Sequence, residues 1–82
     1  MRAVLLNPFA EEDLIQVLIW YEEQHPGLGE IFEYEFKGCL KRLQDAPFTG
    51  SIVYESKQIR RVRMRSFPYH VYYSVESELI KI

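Results

Sequence analysis

Four arginines stand within six residues of this chain, at positions 60, 61, 63 and 65, inside the stretch Ile59 to Tyr73, IRRVRMRSFPYHVYY. Side chains alternate faces along a strand. Val62 and Met64 therefore point one way, while Arg61, Arg63 and Arg65 point the other. Three guanidiniums on one face, spanning roughly 13 Å at about 3.3 Å per residue, suit a partner carrying regularly spaced phosphates or carboxylates. Ser66-Phe67-Pro68 turns the chain into a second strand, Tyr69 to Val75, with Val71, Tyr73 and Val75 on one face and His70, Tyr72 and Ser74 on the other. With the apolar residues setting the register, His70 and Tyr72 join the arginines. Arginines that hold phosphate, a histidine that moves a proton near neutral pH and a stacking tyrosine together make a ribonuclease-like face. The plain alternative is an exposed strand whose arginines serve solubility and edge protection.

Other chemistry is poorly supplied. The only imidazoles are His25, at a helix-ending turn, and His70, so no Cys or His spacing supports a metal site and no cofactor is expected. Cys39 is the single cysteine; it lies on an apolar helical stripe and reads as a small buried hydrophobe, with no disulfide partner in the chain. Gly27-Leu28-Gly29 lacks the preceding strand of a phosphate-binding loop and reads as a helix start.

The elements that must hold the basic strand follow from periodicity and punctuation. Ala3 to Leu6 is a short apolar run ended by Asn7-Pro8, read as a first strand. Pro8 opens a helix with Glu11, Glu12 and Asp13 near its positive end; the helix runs to about Gln24, where His25-Pro26-Gly27 stops it. Leu14, Val17, Leu18 and Tyr21 form its core face, with Ile15 and Ile19 to one side and Trp20 toward the other. That is more apolar surface than one sheet face requires: either the helix is buried on several sides, with Trp20 at the rim of a broad core, or it shows a patch to a partner protein. A second helix reaches about Asp45, with Phe32, Phe36, Cys39 and Leu43 as its core stripe. Ser51 to Tyr54 is a brief strand, Glu55 to Gln58 turns into the arginine strand, and Leu79 to Ile82 is a last strand after the Glu76-Ser77-Glu78 turn. The expected fold is α+β, in the order β-α-α-β-β-β with a final β, a helical hairpin packed on a mostly antiparallel sheet.

Length and charge agree with a single domain over residues 1–82, small enough that a partner contributes to stability. Residues 1–36 carry eight acids and one base, about −7, whereas residues 37–82 carry nine bases and four acids, about +5. The basic pole is where an anionic partner approaches. The apolar run at the N-terminus is too short for a signal sequence or a membrane span, so the expectation is a cytoplasmic protein without membrane contact.

Several short stretches, in order and across nearly the whole chain, resemble the RelE/ParE superfamily of bacterial toxins from type II toxin-antitoxin systems, also described as plasmid stabilisation proteins. They are Ala10 to Leu14, Trp20-Tyr21-Glu22, Pro26 to Gly29, Phe32, Leu43 with Pro47, Ile59-Arg60-Arg61, and Phe67-Pro68-Tyr69 with Tyr72-Tyr73. The wording around Phe67-Pro68-Tyr69 is closer to the ParE-like branch, whose members poison DNA gyrase by binding it. The resemblance implies a growth-inhibiting toxin, neutralised by a cognate antitoxin with which it forms an oligomer. It implies target contacts at Arg60, Arg61, Arg63, Arg65, His70 and Tyr72, and the apolar surplus at Ile15, Ile19 and Trp20 becomes the antitoxin contact. RelE-like members imply a different activity, ribosome-dependent cleavage of messenger RNA, with His70 or Glu55 moving the proton. His70 departs from that pattern, standing where those nucleases carry arginine. The family's C-terminal segment of His and Arg also has no counterpart after Ile82, which gives a third expectation, a truncated toxin that only binds antitoxin.

Overall fold

The computed structural model describes residues 2–82. Five strands and two helices follow in the order β1 (Ala3–Leu5), α1 (Pro8–Gln24), α2 (Leu28–Asp45), β2 (Ser51–Tyr54), β3 (Ile59–Arg63), β4 (His70–Val75) and β5 (Leu79–Lys81), with a 3-10 turn at Glu55–Lys57 between β2 and β3. The sheet order is β1-β5-β4-β3-β2. Only the β1–β5 pair is parallel; the other three pairs are antiparallel. This is the expected α+β fold, a helical hairpin on a mostly antiparallel sheet.

Local chemistry places the helix ends. Asn7 caps α1, its side-chain carbonyl accepting from the Ala10 N–H at 2.9 Å, and Pro8 follows at the first helical position. The same Asn7 side chain donates to the Ile82 carbonyl at 2.9 Å, so the entry to α1 is stapled to the exit of β5. α2 has no side-chain cap of its own, because its N-cap residue is Gly27, which sits in the left-handed region at φ 90°. Glu22, in the last turn of α1, supplies it instead. Its carboxylate accepts from the Gly27 N–H at 2.9 Å and the Gly29 N–H at 3.1 Å, which satisfies two orphan donors and places a negative charge at the positive helix end.

The core lies between α2 and one face of the sheet. Phe32, Phe36, Cys39 and Leu43 from α2 meet Met64, Phe67, Val71, Tyr73 and Ile80. Burial pushes the Cys39 thiol up, and this outweighs the lowering effect of the nearby Arg42. The cysteine is thus an inert core residue. α1 packs chiefly on α2 and has no fully buried residue. Leu14, Val17, Leu18 and Tyr21 are partly buried against the core.

An aromatic group ties the helical hairpin to the β3–β4 turn. Tyr21 stacks on Phe32 at 5.4 Å, and Phe67 meets both edge-on at 4.9 and 4.8 Å. Tyr69 lies 6.3 Å from Tyr21 and 5.7 Å from Phe32. Such pairs contribute about 0.5–1.5 kcal/mol each beyond their area. Phe67-Pro68-Tyr69 therefore fixes the turn, and through it the register of β3 against β4.

The same turn is held from α2 by Glu35, whose two carboxylate oxygens accept from the Ser66 N–H at 3.2 and 3.1 Å. Desolvation works to raise the Glu35 carboxyl, but the Ser66 and Arg65 hydrogen bonds and the Arg42 charge outweigh it and hold the group below its ordinary 4.5. A carboxyl whose pKa is lowered on folding adds stability above its unfolded value, and that stability is lost as pH falls through the folded value. The wild type is therefore expected to lose melting temperature as pH drops below about 4.5. Glu35→Gln flattens this part of the profile, and circular dichroism melts at a series of pH values measure it; parallel profiles for the two proteins would refute the assignment.

Candidate functional site

The register brings the basic residues of β3 against β4 as alternation requires. Arg61 pairs with Tyr72 and Arg63 with His70, while Val62 pairs with Val71 and Arg60 with Tyr73. Arg61, Arg63, His70 and Tyr72 are all exposed, on the sheet face opposite the helices, whereas Val71 and Tyr73 are buried. The His70 and Tyr72 rings lie 6.4 Å apart at 51°. Across the next pair, Ser51 sits opposite Arg61. This is an open, basic and aromatic face without a covering helix.

Among the described residues the ion pairs within 4.0 Å are Lys37–Glu33 and Lys81–Glu76. Neither involves the basic strand. Two like charges held on one strand face with no acid between them store repulsion, which an approaching anion relieves.

Two of the expected contacts leave this face. Arg60 lies on the core side of β3 and donates to the Gly50 carbonyl at 2.7 Å and the Phe48 carbonyl at 3.2 Å, with its guanidinium 5.2 Å from the centre of the Phe48 ring. It pins the loop between α2 and β2. Parity along the strand carried this signal, since position 60 shares its face with Val62 and Met64. Arg65 lies past the end of β3, because the chain must leave the strand for Phe67 to reach the core. The expected three-rung ladder is a two-rung one, Arg61 and Arg63, with Arg65 in the turn beyond it.

The two nuclease candidates are not brought together. His70 faces Arg63 at one end of β3, while Glu55 lies in the 3-10 turn before Ile59 at the other. Four residues of strand, roughly 13 Å, separate those ends.

Ile15, Ile19 and Trp20 on α1 are about half exposed, at 43%, 51% and 53%. Ile15 and Ile19 flank one side of the helix, and Trp20, edge-on to Tyr21 at 5.0 Å, flanks the other. Trp20 shares its side with Phe9, 84% exposed, through the spacing 9, 13, 16, 20. Sequence reasoning passed over Phe9, although that spacing marks it. Phe9, Asp13, Gln16 and Val17 line one wall of a cleft of about 790 Å³ whose other walls include Phe36, Val71 and Tyr73.

No helix among the described residues is long and apolar enough to cross a membrane. No group of three or more His, Cys, Asp or Glu residues placed to hold a metal ion occurs among them either. No protein-family model matches the chain, and no curated protein matches it.

Proposed function

We propose that the chain is the toxin of a type II toxin-antitoxin pair, acting by binding DNA gyrase through the face of Arg61, Arg63, His70 and Tyr72 and neutralised by an antitoxin seated on α1. The observation that carries this reading is the exposed face of Arg61, Arg63, His70 and Tyr72, whose arginines belong to no ion pair among the described residues. General acid–base cleavage of RNA needs proton-transfer groups within hydrogen-bond reach of the reacting atoms; a recognition face needs only exposed arginine and aromatic anchors. The family resemblance in the sequence supplies the target, and the α+β fold is the one that resemblance implies.

A second reading, ribosome-dependent cleavage of messenger RNA, keeps support from one contact, the cross-strand pair Arg63–His70 beside Tyr72. The two readings part on His70→Ala. Under gyrase binding the variant still arrests growth when expressed without antitoxin, its inhibition of supercoiling weakened by less than about tenfold, the equivalent of 1.4 kcal/mol. Under RNA cleavage the arrest disappears. Inducible expression with separate readouts of plasmid supercoiling and translation decides; normal supercoiling with halted translation would sink the proposal.

A further inference from the structure

β5 covers only the second half of β4. Glu76 and Leu79 exchange hydrogen bonds of 2.7 and 3.4 Å, and Ser74 opposite Lys81 is the next such pair along the ladder. There β5 ends. Ile82 turns its backbone away, its N–H donating to the Leu5 carbonyl at 2.9 Å and its carbonyl accepting from the Asn7 N–H at 3.2 Å. Successive residues of a strand in an antiparallel ladder bond to opposite sides. Met64 donates to the Tyr69 carbonyl at 2.9 Å, so Tyr69, Val71 and Tyr73 bond toward β3. His70 and Tyr72 therefore aim their N–H and C=O groups the other way, into the cleft of about 790 Å³ beside α1, which both residues line. None of these four backbone groups has a hydrogen-bond partner among the described residues. The outer edges of the sheet are poorer templates, since β1 is three residues long and β2 is interrupted by an irregularity between Ile52 and Tyr54.

We propose that this rim of β4 takes up an extended segment of a partner protein, added as an antiparallel strand in line with β5 and carrying acidic and apolar residues in alternation. Residues directly opposite each other in such a pair share a face. The two opposite His70 and Tyr72 exchange backbone hydrogen bonds with them and point to the outer face. The one between, opposite Val71, points to the core side, where Leu14 and Val17 of α1 and Phe36 of α2 line the cleft. That position calls for an apolar side chain. The outer positions call for acids, because Arg61 stands across β4 at the level of Tyr72 and Arg63 at the level of His70, and neither belongs to an ion pair among the described residues. Two strand spacings separate the acids from the arginines, about 10 Å, a gap that long side chains reach into from both sides. Asp13, the one acid in the lining, stands on α1 and so on the core side of the added strand. Main-chain bonds supply the affinity and the alternation supplies the specificity. The inference depends neither on gyrase as the target nor on a partner contact at Ile15 and Ile19.

The test is a ¹H–¹⁵N titration of the whole chain, to millimolar concentrations, with three end-capped pentapeptides: Glu-Val-Glu-Val-Glu, Lys-Val-Lys-Val-Lys, and the first sequence with its glutamate amides N-methylated. The expected result is that the acidic peptide moves the amides of His70 and Tyr72 most and slows their exchange with solvent. It binds at least about tenfold more tightly than the lysine peptide, which meets the arginines with like charge. It exceeds the N-methylated peptide by a similar factor, because that probe has no N–H to donate to the carbonyls of His70 and Tyr72. Equal affinity for the acidic and lysine peptides overturns the proposal, as does an N-methylated peptide that binds as well as its parent, or an acidic peptide that moves neither amide. Shifts of the same two amides on concentrating the protein alone assign the rim to a second copy of the chain and overturn the partner segment. Supercoiling and growth are not read in this experiment, so its failure and the failure of the gyrase reading are told apart.

Discussion

Arg61→Glu combined with Arg63→Glu is expected to abolish growth arrest and to raise the concentration needed to inhibit gyrase supercoiling by about 100-fold or more, the equivalent of roughly 3 kcal/mol. Both side chains are exposed and project from the middle and end of β3, opposite Tyr72 and His70. Reversal replaces two attractive charges with two repulsive ones where the partner is anionic, so it costs more than truncation to alanine. The fold is expected to tolerate the exchange, because neither arginine belongs to an ion pair among the described residues. Surface substitutions of this kind change stability by only about 0.5 kcal/mol each. A melting curve close to that of the wild type, together with lost inhibition, locates the effect in binding. Inhibition also weakens as salt rises, since exposed charges are screened over about 10 Å at 0.1 M. Full inhibition by the doubly reversed variant would remove the basic face from the target contact.

Gly50→Ala is expected to be the most damaging single methyl group added to this chain. A Cβ at that position would stand 2.5 Å from the Tyr73 hydroxyl and 2.7 Å from the Arg61 carbonyl, and the second of these is backbone that cannot swing away. The Tyr73 hydroxyl, on a fully buried ring, accepts from the Gly50 N–H at 2.9 Å and donates to the Pro47 carbonyl at 2.8 Å. The methyl group breaks this arrangement and leaves buried polar groups without partners, each costing about 1–3 kcal/mol, on top of about 1–3 kcal/mol for overpacking. A chain of this length has a total stability of roughly 4–12 kcal/mol. The variant is therefore expected to melt at least about 10 °C lower. Tyr73→Phe, which removes both hydrogen bonds without the clash, falls between it and the wild type. Thermal melts of the three proteins give the order, and a Gly50→Ala protein as stable as the wild type would show that the loop does not sit on the tyrosine.

What was legible in the sequence was mostly local or periodic. Pro8 and the His25-Pro26-Gly27 stop place α1, the spacing of Phe32, Phe36, Cys39 and Leu43 gives the buried stripe of α2, and alternation sorts β3 and β4 into a core face and a basic face. Arg61, Arg63, His70 and Tyr72 share a face for the same reason. Partnerships across space were not legible. Glu22 and Glu35 look like two more acids on an acidic half, yet each spends its carboxylate on backbone N–H groups of another segment. The fate of Arg60 depends on two loop carbonyls, at Phe48 and Gly50, that come near it only once Tyr73 has drawn that loop onto the sheet.

The way α1 is held has a consequence for motion. The helix is fastened at its start by Asn7 to Ile82 and near its end by Tyr21 in the aromatic group, and between these points it borders the cleft without a fully buried side chain. It is a beam carried on two supports, resting on a rigid plate of α2 and sheet. Its amides are expected to open at lower cost than those of α2, whose side chains fill the core, and hydrogen exchange of the two helices measures the difference.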